Sequence, residues 1–121
     1  MDFTTSVKYQ NNPILRETFE FAVLIVQYSE ILESNRKYAI ARQVIRSGTS
    51  IGANVKEAQN AESKADFIHK LKIALKEADE TEYWLFLCKS LENYQNPDHL
   101  ILKLNGILKI LNKIVSTTKR N

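Results

Sequence analysis

The stretch that decides the fold is Arg46-Ser47-Gly48-Thr49-Ser50-Ile51-Gly52-Ala53-Asn54-Val55-Lys56-Glu57-Ala58. It places two glycines one helical turn apart inside a segment whose apolar spacing is that of an amphipathic helix. A glycine in a helix interior costs roughly 1 kcal/mol relative to alanine, so Gly48 and Gly52 are expected to serve a purpose that a side chain would prevent. The segment therefore predicts close contact with another backbone.

The composition around this segment is that of one all-α domain. The chain has 121 residues, 44% of them apolar, and only three glycines and two prolines interrupt regular structure, which corresponds to about one domain. The single cysteine, Cys88, cannot form an internal disulfide, and its apolar neighbours predict a buried thiol in a reducing compartment. Residues 1–6 do not resemble a signal peptide, and no apolar run is long enough to span a bilayer. We therefore expect a cytoplasmic protein with no membrane partner.

Caps and apolar periodicity predict four helices, at about 13–33, 37–60, 64–91 and 97–117. Asn12-Pro13 and Asn96-Pro97 each place an N-cap residue before a proline at the first helical position, and Ser63 begins a capping box with Asp66. Short connections favour antiparallel neighbours. The prediction is a single domain over residues 1–121, an all-α, antiparallel up-down-up-down four-helix bundle, with residues 1–11 and 118–121 as loose ends.

Each predicted helix has an apolar stripe, and the stripes of the first and third helices predict which of their residues enter the core. The stripe of the first helix consists of Leu15, Phe19, Ala22, Val26, Ser29 and Leu32. The stripe of the third helix alternates spacings of four and three and consists of Phe67, Leu71, Ala74, Ala78, Thr81, Leu85 and Cys88. Both spacings are typical of a helix that buries one face.

Polar side chains lie beside the apolar stripe of the second helix. At 100° per residue, Ser47, Ser50, Asn54 and Glu57 fall within about 80° of one another, where a helix surface is half buried. We favour the interpretation that small residues let the second and third helices approach. The alternatives are a polar network that sets the register of an oligomer interface and a ligand site. Aromatic residues near position 84 exceed what one core hides easily. Helix contacts or an oligomer interface are therefore predicted at Ser47, Gly48, Ser50, Gly52, Asn54, Glu57, Tyr83 and Trp84.

The second and third helices also resemble a known family. The resemblance is carried by Arg46-Ser47, Ser50-Ile51-Gly52-Ala53-Asn54, Glu57-Ala58, Ser63-Lys64-Ala65-Asp66-Phe67 and Ala74-Leu75. These segments are similar to the bacterial four-helix-bundle family named after proteins encoded in intervening sequences of 23S ribosomal RNA genes, whose relatives include the accessory protein of diversity-generating retroelements. The resemblance implies a homo-oligomer, typically a five-fold ring, with no known catalytic activity and an association with RNA, DNA or a nucleic-acid enzyme.

The residues themselves argue against catalysis. A di-metal site in a four-helix bundle needs two Glu-x-x-His pairs on facing helices, and only Asp66-Phe67-Ile68-His69 approximates one half of such a site. The sequence has no phosphate loop, no Cys-His pair at ligand spacing and no nucleophile elbow. We therefore predict that the protein is not an enzyme and has no catalytic residues, no metal site and no cofactor.

Charge gives a weak indication of nucleic-acid binding. The net charge is +3, from 17 basic and 14 acidic side chains, which is small for one chain but adds up in a ring of copies. The predicted phosphate ligands are Arg42, Arg46, Lys72 and Lys76. Two alternatives remain open, namely that the lysines form a solvated helix face and that Glu80 engages Arg46 internally. The predicted function is a non-catalytic homo-oligomer, a pentamer, that associates with nucleic acid or a nucleoprotein. The alternative is an oligomeric protein-protein adaptor with no direct nucleic-acid contact.

Overall fold

Four long helices and one short helical turn make up the regular structure of residues 7–121, the part of the chain that the computed structural model describes. Each long helix packs against two neighbours, in the cyclic order of the chain, around one shared core. The predicted antiparallel four-helix bundle is confirmed. The helices are α1 (Val7–Gln10), α2 (Pro13–Ser34), α3 (Tyr38–Ala58), α4 (Lys64–Ser90) and α5 (Asp98–Arg120).

Two of the predicted N-caps are present in the structure. The Oδ1 atom of Asn12 accepts a hydrogen bond from the backbone N–H of Leu15 at 3.3 Å, so α2 begins at Pro13 as predicted. The Oγ atom of Ser63 accepts from the N–H of Asp66 at 3.0 Å at the start of α4. Each side chain satisfies a donor that has no partner within its own helix.

The last helix differs from its prediction at both ends. α5 begins at Asp98 rather than Pro97, and the Oδ1 atom of Asn96 accepts from the N–H of Asp98 at 2.7 Å. The expected loose end at 118–121 is wrong, because the helix continues to Arg120. Basic side chains in the last turn interact favourably with the carbonyl end of a helix, which explains why this polar segment stays helical.

The expectation of a loose end at residues 1–11 also needs correction. Residues 7–10 form the helical turn α1, and the part of the prediction at residues 1–6 lies outside the described residues. The ring of Tyr9 packs against the core, and its carbonyl accepts from the N–H of Asn12 at 3.2 Å. An apolar anchor therefore orders this segment.

The core confirms one predicted stripe and corrects the other. In α4 every residue of the predicted stripe from Leu71 to Cys88 is buried, and Phe67 packs at its edge. In α2 the stripe is only partly right, since Phe19, Ala22 and Val26 are half exposed. The residues of α2 that are buried instead include Phe21, Ile25 and Tyr28. This helix carries two overlapping apolar stripes, and packing against α3 and α5 selects between them.

Both helix connections at one end of the bundle are tied to the core. The hydroxyl of Tyr28 donates to the carbonyl of Gln95 at 2.6 Å, and the ammonium group of Lys37 lies 4.9 Å from the centre of the Tyr94 ring. After α2, Arg36 adopts the left-handed conformation (φ 63°), and its N–H and that of Lys37 donate to carbonyls of the last helical turn. The two connections therefore lie together at the end opposite the α3–α4 connection.

The buried Cys88 gives the fold a pH dependence that can be measured. Its side chain is buried, as the sequence predicts, and lies beside Tyr28 in the core. Burial raises the pKa of the thiol. The folded state therefore holds the thiol proton more tightly than the unfolded state does. This contribution to stability is fully present below a pH of about 9 and is lost as the pH rises through the folded pKa.

We expect the urea midpoint of the wild type to fall more steeply above this pH than that of Cys88→Ala. The alanine variant has a small cavity that lowers its stability by a similar amount at every pH. The thiol's contribution is therefore seen only in how steeply the urea midpoint changes with pH. Equilibrium unfolding followed by circular dichroism across neutral and alkaline pH measures it. Parallel curves for the two proteins would show that the thiol ionises as easily in the fold as in the unfolded chain.

Candidate functional site

The two glycines of α3 create a close approach to α2. A Cβ atom built on Gly48 would lie 2.7 Å from Cγ2 of Ile25, and one built on Gly52 would lie 3.2 Å from the backbone oxygen of Thr18. The predicted close contact is therefore real. Its partner is the first long helix, however, and not α4 as we expected for the small residues of this segment.

Most polar side chains beside the apolar stripe of α3 form hydrogen bonds within α3 rather than a network between helices. Ser47 is fully buried, and its Oγ atom lies 2.9 Å from Oγ1 of Thr81 on α4. Ser50 donates to the carbonyl of Arg46 at 2.6 Å, and Asn54 donates to the carbonyl of Ser50 at 2.8 Å. Side chains that bond the preceding turn need no partner elsewhere. Within this polar stripe, Ser47 thus provides the buried hydrogen bond that crosses between α3 and α4.

Arg46 is engaged by carboxylates, which was one of the two alternatives left open by the sequence. Its guanidinium group lies 3.4 Å from Oε2 of Glu77 and forms a second ion pair with Glu80. The indole N–H of Trp84 donates to the same Glu80 oxygen at 3.0 Å. A guanidinium held by two carboxylates has little charge left to offer a phosphate. At the other end of the stripe, Glu57 pairs with Lys70 at 3.4 Å.

Exposed apolar side chains concentrate near the two connections α2–α3 and α4–α5. Tyr83 is 63% exposed and Phe86 is 46% exposed, and the Tyr83 ring meets the half-buried Trp84 ring edge-on at 5.1 Å between centroids. Clustered exposed hydrophobic residues commonly mark an interaction surface. We call this group of residues the apolar end, which consists of Ile31, Tyr38, Tyr83, Phe86, Leu91 and Leu102, the last of them 74% exposed.

Three of the four predicted phosphate ligands are exposed and have no acidic partner among residues 7–121, namely Arg42, Lys72 and Lys76. Arg42 lies on α3 near the apolar end, whereas the two lysines lie in the first half of α4. The structure therefore separates the four predicted ligands instead of forming one patch from them. Lys72 contacts Lys119 at the end of α5, a residue that sequence reasoning missed. The sequence signal that could have identified it is the absence of acidic residues in α5 after Asp98.

Among residues 7–121, no group of three or more His, Cys, Asp or Glu side chains is placed to hold a metal ion. No helix among these residues has an apolar stretch long enough to cross a membrane. A shallow groove of about 180 Å³ between α2 and α3 is lined by apolar and small residues that include Phe19, Ala22 and Ala53.

Similarity to known proteins assigns the family. A family model described as 23S rRNA-intervening sequence protein matches residues 10–113. The chain belongs to this family. A solved structure from Bacteroides thetaiotaomicron VPI-5482, described as a protein with unknown function from the S23 ribosomal protein family, is 44% identical in sequence with a TM-score of 0.81. The match covers 84% of this chain and 97% of the other. No curated protein matches the chain significantly.

For this intervening-sequence family member, the match extends over all four long helices. The matched range begins before α2 and ends within the last two turns of α5. The family match therefore extends beyond α3 and α4, the helices that carry the resemblance seen in the sequence. The family description itself names no reaction, substrate or partner.

Proposed function

We propose that this protein is a non-catalytic homo-oligomer, a pentamer, that associates with nucleic acid or a nucleoprotein. The observation that carries the proposal is the distribution of its surface, with most large exposed apolar side chains at one end of the bundle and unpaired basic side chains that include Lys72 and Lys76 at the other. An apolar cluster covered by further copies of the chain would leave the basic side chains facing solvent. The association of the family's name with 23S rRNA is consistent with a nucleic-acid partner.

Self-association is supported by what the core leaves uncovered. Ser47, Gly48 and Gly52 are occupied by contacts within one bundle, so they leave little surface for another chain. Tyr83 and Phe86 remain exposed on α4, and aromatic side chains of this kind are enriched at protein interfaces. Of the residues predicted from sequence as interface candidates, Tyr83 is therefore the one we assign to contacts between copies.

Nucleic-acid association is supported by charge that has no internal partner. Arg42, Lys72 and Lys76 are exposed and carry no carboxylate partner in the described part of the chain. A net charge of +3 for each copy multiplies with the number of copies, and each phosphate contact adds to affinity through released counterions. An oligomer can therefore bind a nucleic acid that one chain holds only weakly.

The exposed aromatic pair also favours a second function. Tyr83 and Phe86 would suit the interface of a different protein as well as a second copy, so an oligomeric adaptor without nucleic-acid contact is the alternative. The two functions differ in salt dependence, because charge-driven binding to RNA or DNA weakens linearly in log affinity with log salt concentration. Assembly without any RNA binding at low salt would favour the adaptor.

We expect Tyr83→Glu with Phe86→Glu to dissociate the oligomer, because burying two carboxylates in an apolar interface costs several kcal/mol unless they find partners. The matched control is Val23→Glu, an apolar side chain on α2 that is 42% exposed and lies outside the apolar end. Analytical ultracentrifugation of the three proteins measures the mass. A double variant that stays assembled, or a control that dissociates while the double variant does not, would show that the contact lies elsewhere.

A further inference from the structure

A basic surface arises where the first half of α4 meets the second half of α5. Residues 64–76 carry four lysines and one acidic residue, and residues 109–120 carry four basic residues and none that is acidic. The charge reverses along α4, since residues 77–92 carry five acidic residues and one lysine. Antiparallel packing of α4 against α5 therefore joins the two basic segments at the end of the bundle opposite the apolar end.

The cations of this region are not neutralised by the fold. Lys70 pairs with Glu57, but the remaining exposed cations of the two segments take part in no ion pair within residues 7–121. Lys72 and Lys119 even face each other across the α4–α5 contact. A hydrogen-bonding contact with Lys72, together with its charge, lowers the pKa of Lys119. Like charges brought together in this way repel, and a bound anion relieves the repulsion.

The extent of the surface indicates what kind of anion fits. From Lys109 to Arg120 the cations extend for about 17 Å along α5 at 1.5 Å per residue, which is the length of several phosphates spaced about 3.4 Å apart along one strand. Neither segment contains a large exposed apolar side chain among the described residues. Peptide ligands need side-chain pockets, and stable membrane attachment usually adds an apolar anchor to basic residues. A polyphosphate backbone fits the surface best.

We propose that this basic surface is where the protein binds the sugar-phosphate backbone of a nucleic acid, without reading its bases. The residues assigned to the contact are Lys72, Lys76, Lys113, Lys119 and Arg120. Lysine ammonium groups act as point charges and carry little sequence information, so unrelated sequences should bind with similar affinity. The inference rests on the proposed association with nucleic acid and places it on α4 and α5, away from Arg46, whose guanidinium is held by Glu77 and Glu80.

The test compares two double variants that remove the same charge from opposite ends of the bundle. Lys72→Gln with Lys119→Gln removes two positive charges from the basic surface. Arg36→Asn with Lys37→Gln removes two from the α2–α3 connection, and asparagine tolerates the left-handed backbone at position 36. Fluorescence anisotropy with a labelled mixed-sequence single-stranded RNA, titrated over a range of salt concentrations, measures affinity and its salt dependence. Circular dichroism and light scattering establish that each variant is folded and assembled as the wild type is.

We expect the basic-surface variant to bind RNA at least about 25-fold more weakly than the wild type at about 0.1 M salt. The slope of its log affinity against log salt concentration should be smaller in magnitude by about 1.4. Both the affinity and the slope of the control variant should stay near those of the wild type. Two results would show that the location is wrong while nucleic-acid association stands, both with a wild type that binds RNA. In one, the control variant loses as much RNA affinity as the basic-surface variant; in the other, the basic-surface variant loses no affinity. If the wild type binds no RNA at low salt, or binds anionic lipid vesicles instead, both the location and the proposed function fail.

Discussion

Gly48→Leu is expected to lower the free energy of unfolding by about 3 kcal/mol, because overpacking a filled core costs 1–3 kcal/mol and sometimes more. Even the first carbon of the new side chain would lie 2.7 Å and 2.9 Å from two carbons of Ile25. Ile25 is completely buried and cannot swing away. The new side chain must therefore push α2 away from α3 at this close contact.

The third glycine of the chain provides a matched control for this substitution. Gly106 lies on the exposed side of α5, and nothing lies within 4 Å of a Cβ atom built on it. Gly106→Leu should therefore stabilise the protein slightly, by up to about 1 kcal/mol, through better helix propensity alone. Urea unfolding of both variants at the same protein concentration separates packing from propensity. Equal stabilities for the two variants would contradict the close approach of α2 and α3.

The second large effect is expected for Ser47→Leu, which should cost about 2–3 kcal/mol of stability. Ser47 is fully buried between α3 and α4, with its Oγ atom 2.9 Å from Oγ1 of Thr81. Leucine removes this hydrogen bond and adds volume where the helices already touch. Thr81 keeps a bond to the carbonyl of Glu77 at 2.7 Å, so the cost comes mainly from the added volume.

Ser50→Leu tests the same stripe one turn further along the helix. Ser50 is half exposed and bonds only its own helix, so leucine there should change the stability of the bundle by about 0.5 kcal/mol or less. Comparing thermal unfolding and oligomer mass for both variants distinguishes a contact within the bundle from an oligomer interface. Loss of assembly in Ser50→Leu with an unchanged melting temperature would restore the oligomer-interface interpretation of the polar stripe.

The fold was predictable from the sequence because local signals agreed with each other. The apolar residues of α4 offer few alternative stripes with helical spacing, and the predicted stripe is buried from Leu71 onward. Asn12 and Ser63 cap the helices at the predicted positions. Capping and periodicity depend on neighbours within a few residues of each other, so one sequence is enough to recognise them.

The orientation of surfaces was not predictable in the same way. α2 carries two apolar stripes of equal period, and nothing within that helix decides that Phe21 and Ile25 are buried while Phe19 is half exposed. The glycines of α3 predict a close helix contact but not which helix makes it, because residues facing α2 and residues facing α4 alternate along the same segment. Choosing between the two neighbours requires the arrangement of the whole bundle.

The basic surface shows a different limit of sequence reasoning. Lys72 and Lys119 are far apart in the chain, and Lys72 belongs to a helix with equal numbers of basic and acidic side chains. Their contact follows from the antiparallel topology that places the start of α4 beside the end of α5. Arg46 is the converse case. Its spacing in the sequence suggests a phosphate ligand, but in the structure its guanidinium group forms ion pairs with Glu77 and Glu80.

The most direct test of the account is the mass of the purified protein by light scattering, alone and with a mixed-sequence RNA at low and at high salt. We predict a mass near five times that of the 13.9 kDa chain, with RNA bound at low salt and released at high salt. A monomer whose mass is unchanged by RNA at either salt concentration would contradict both the assembly and the nucleic-acid association proposed for this protein.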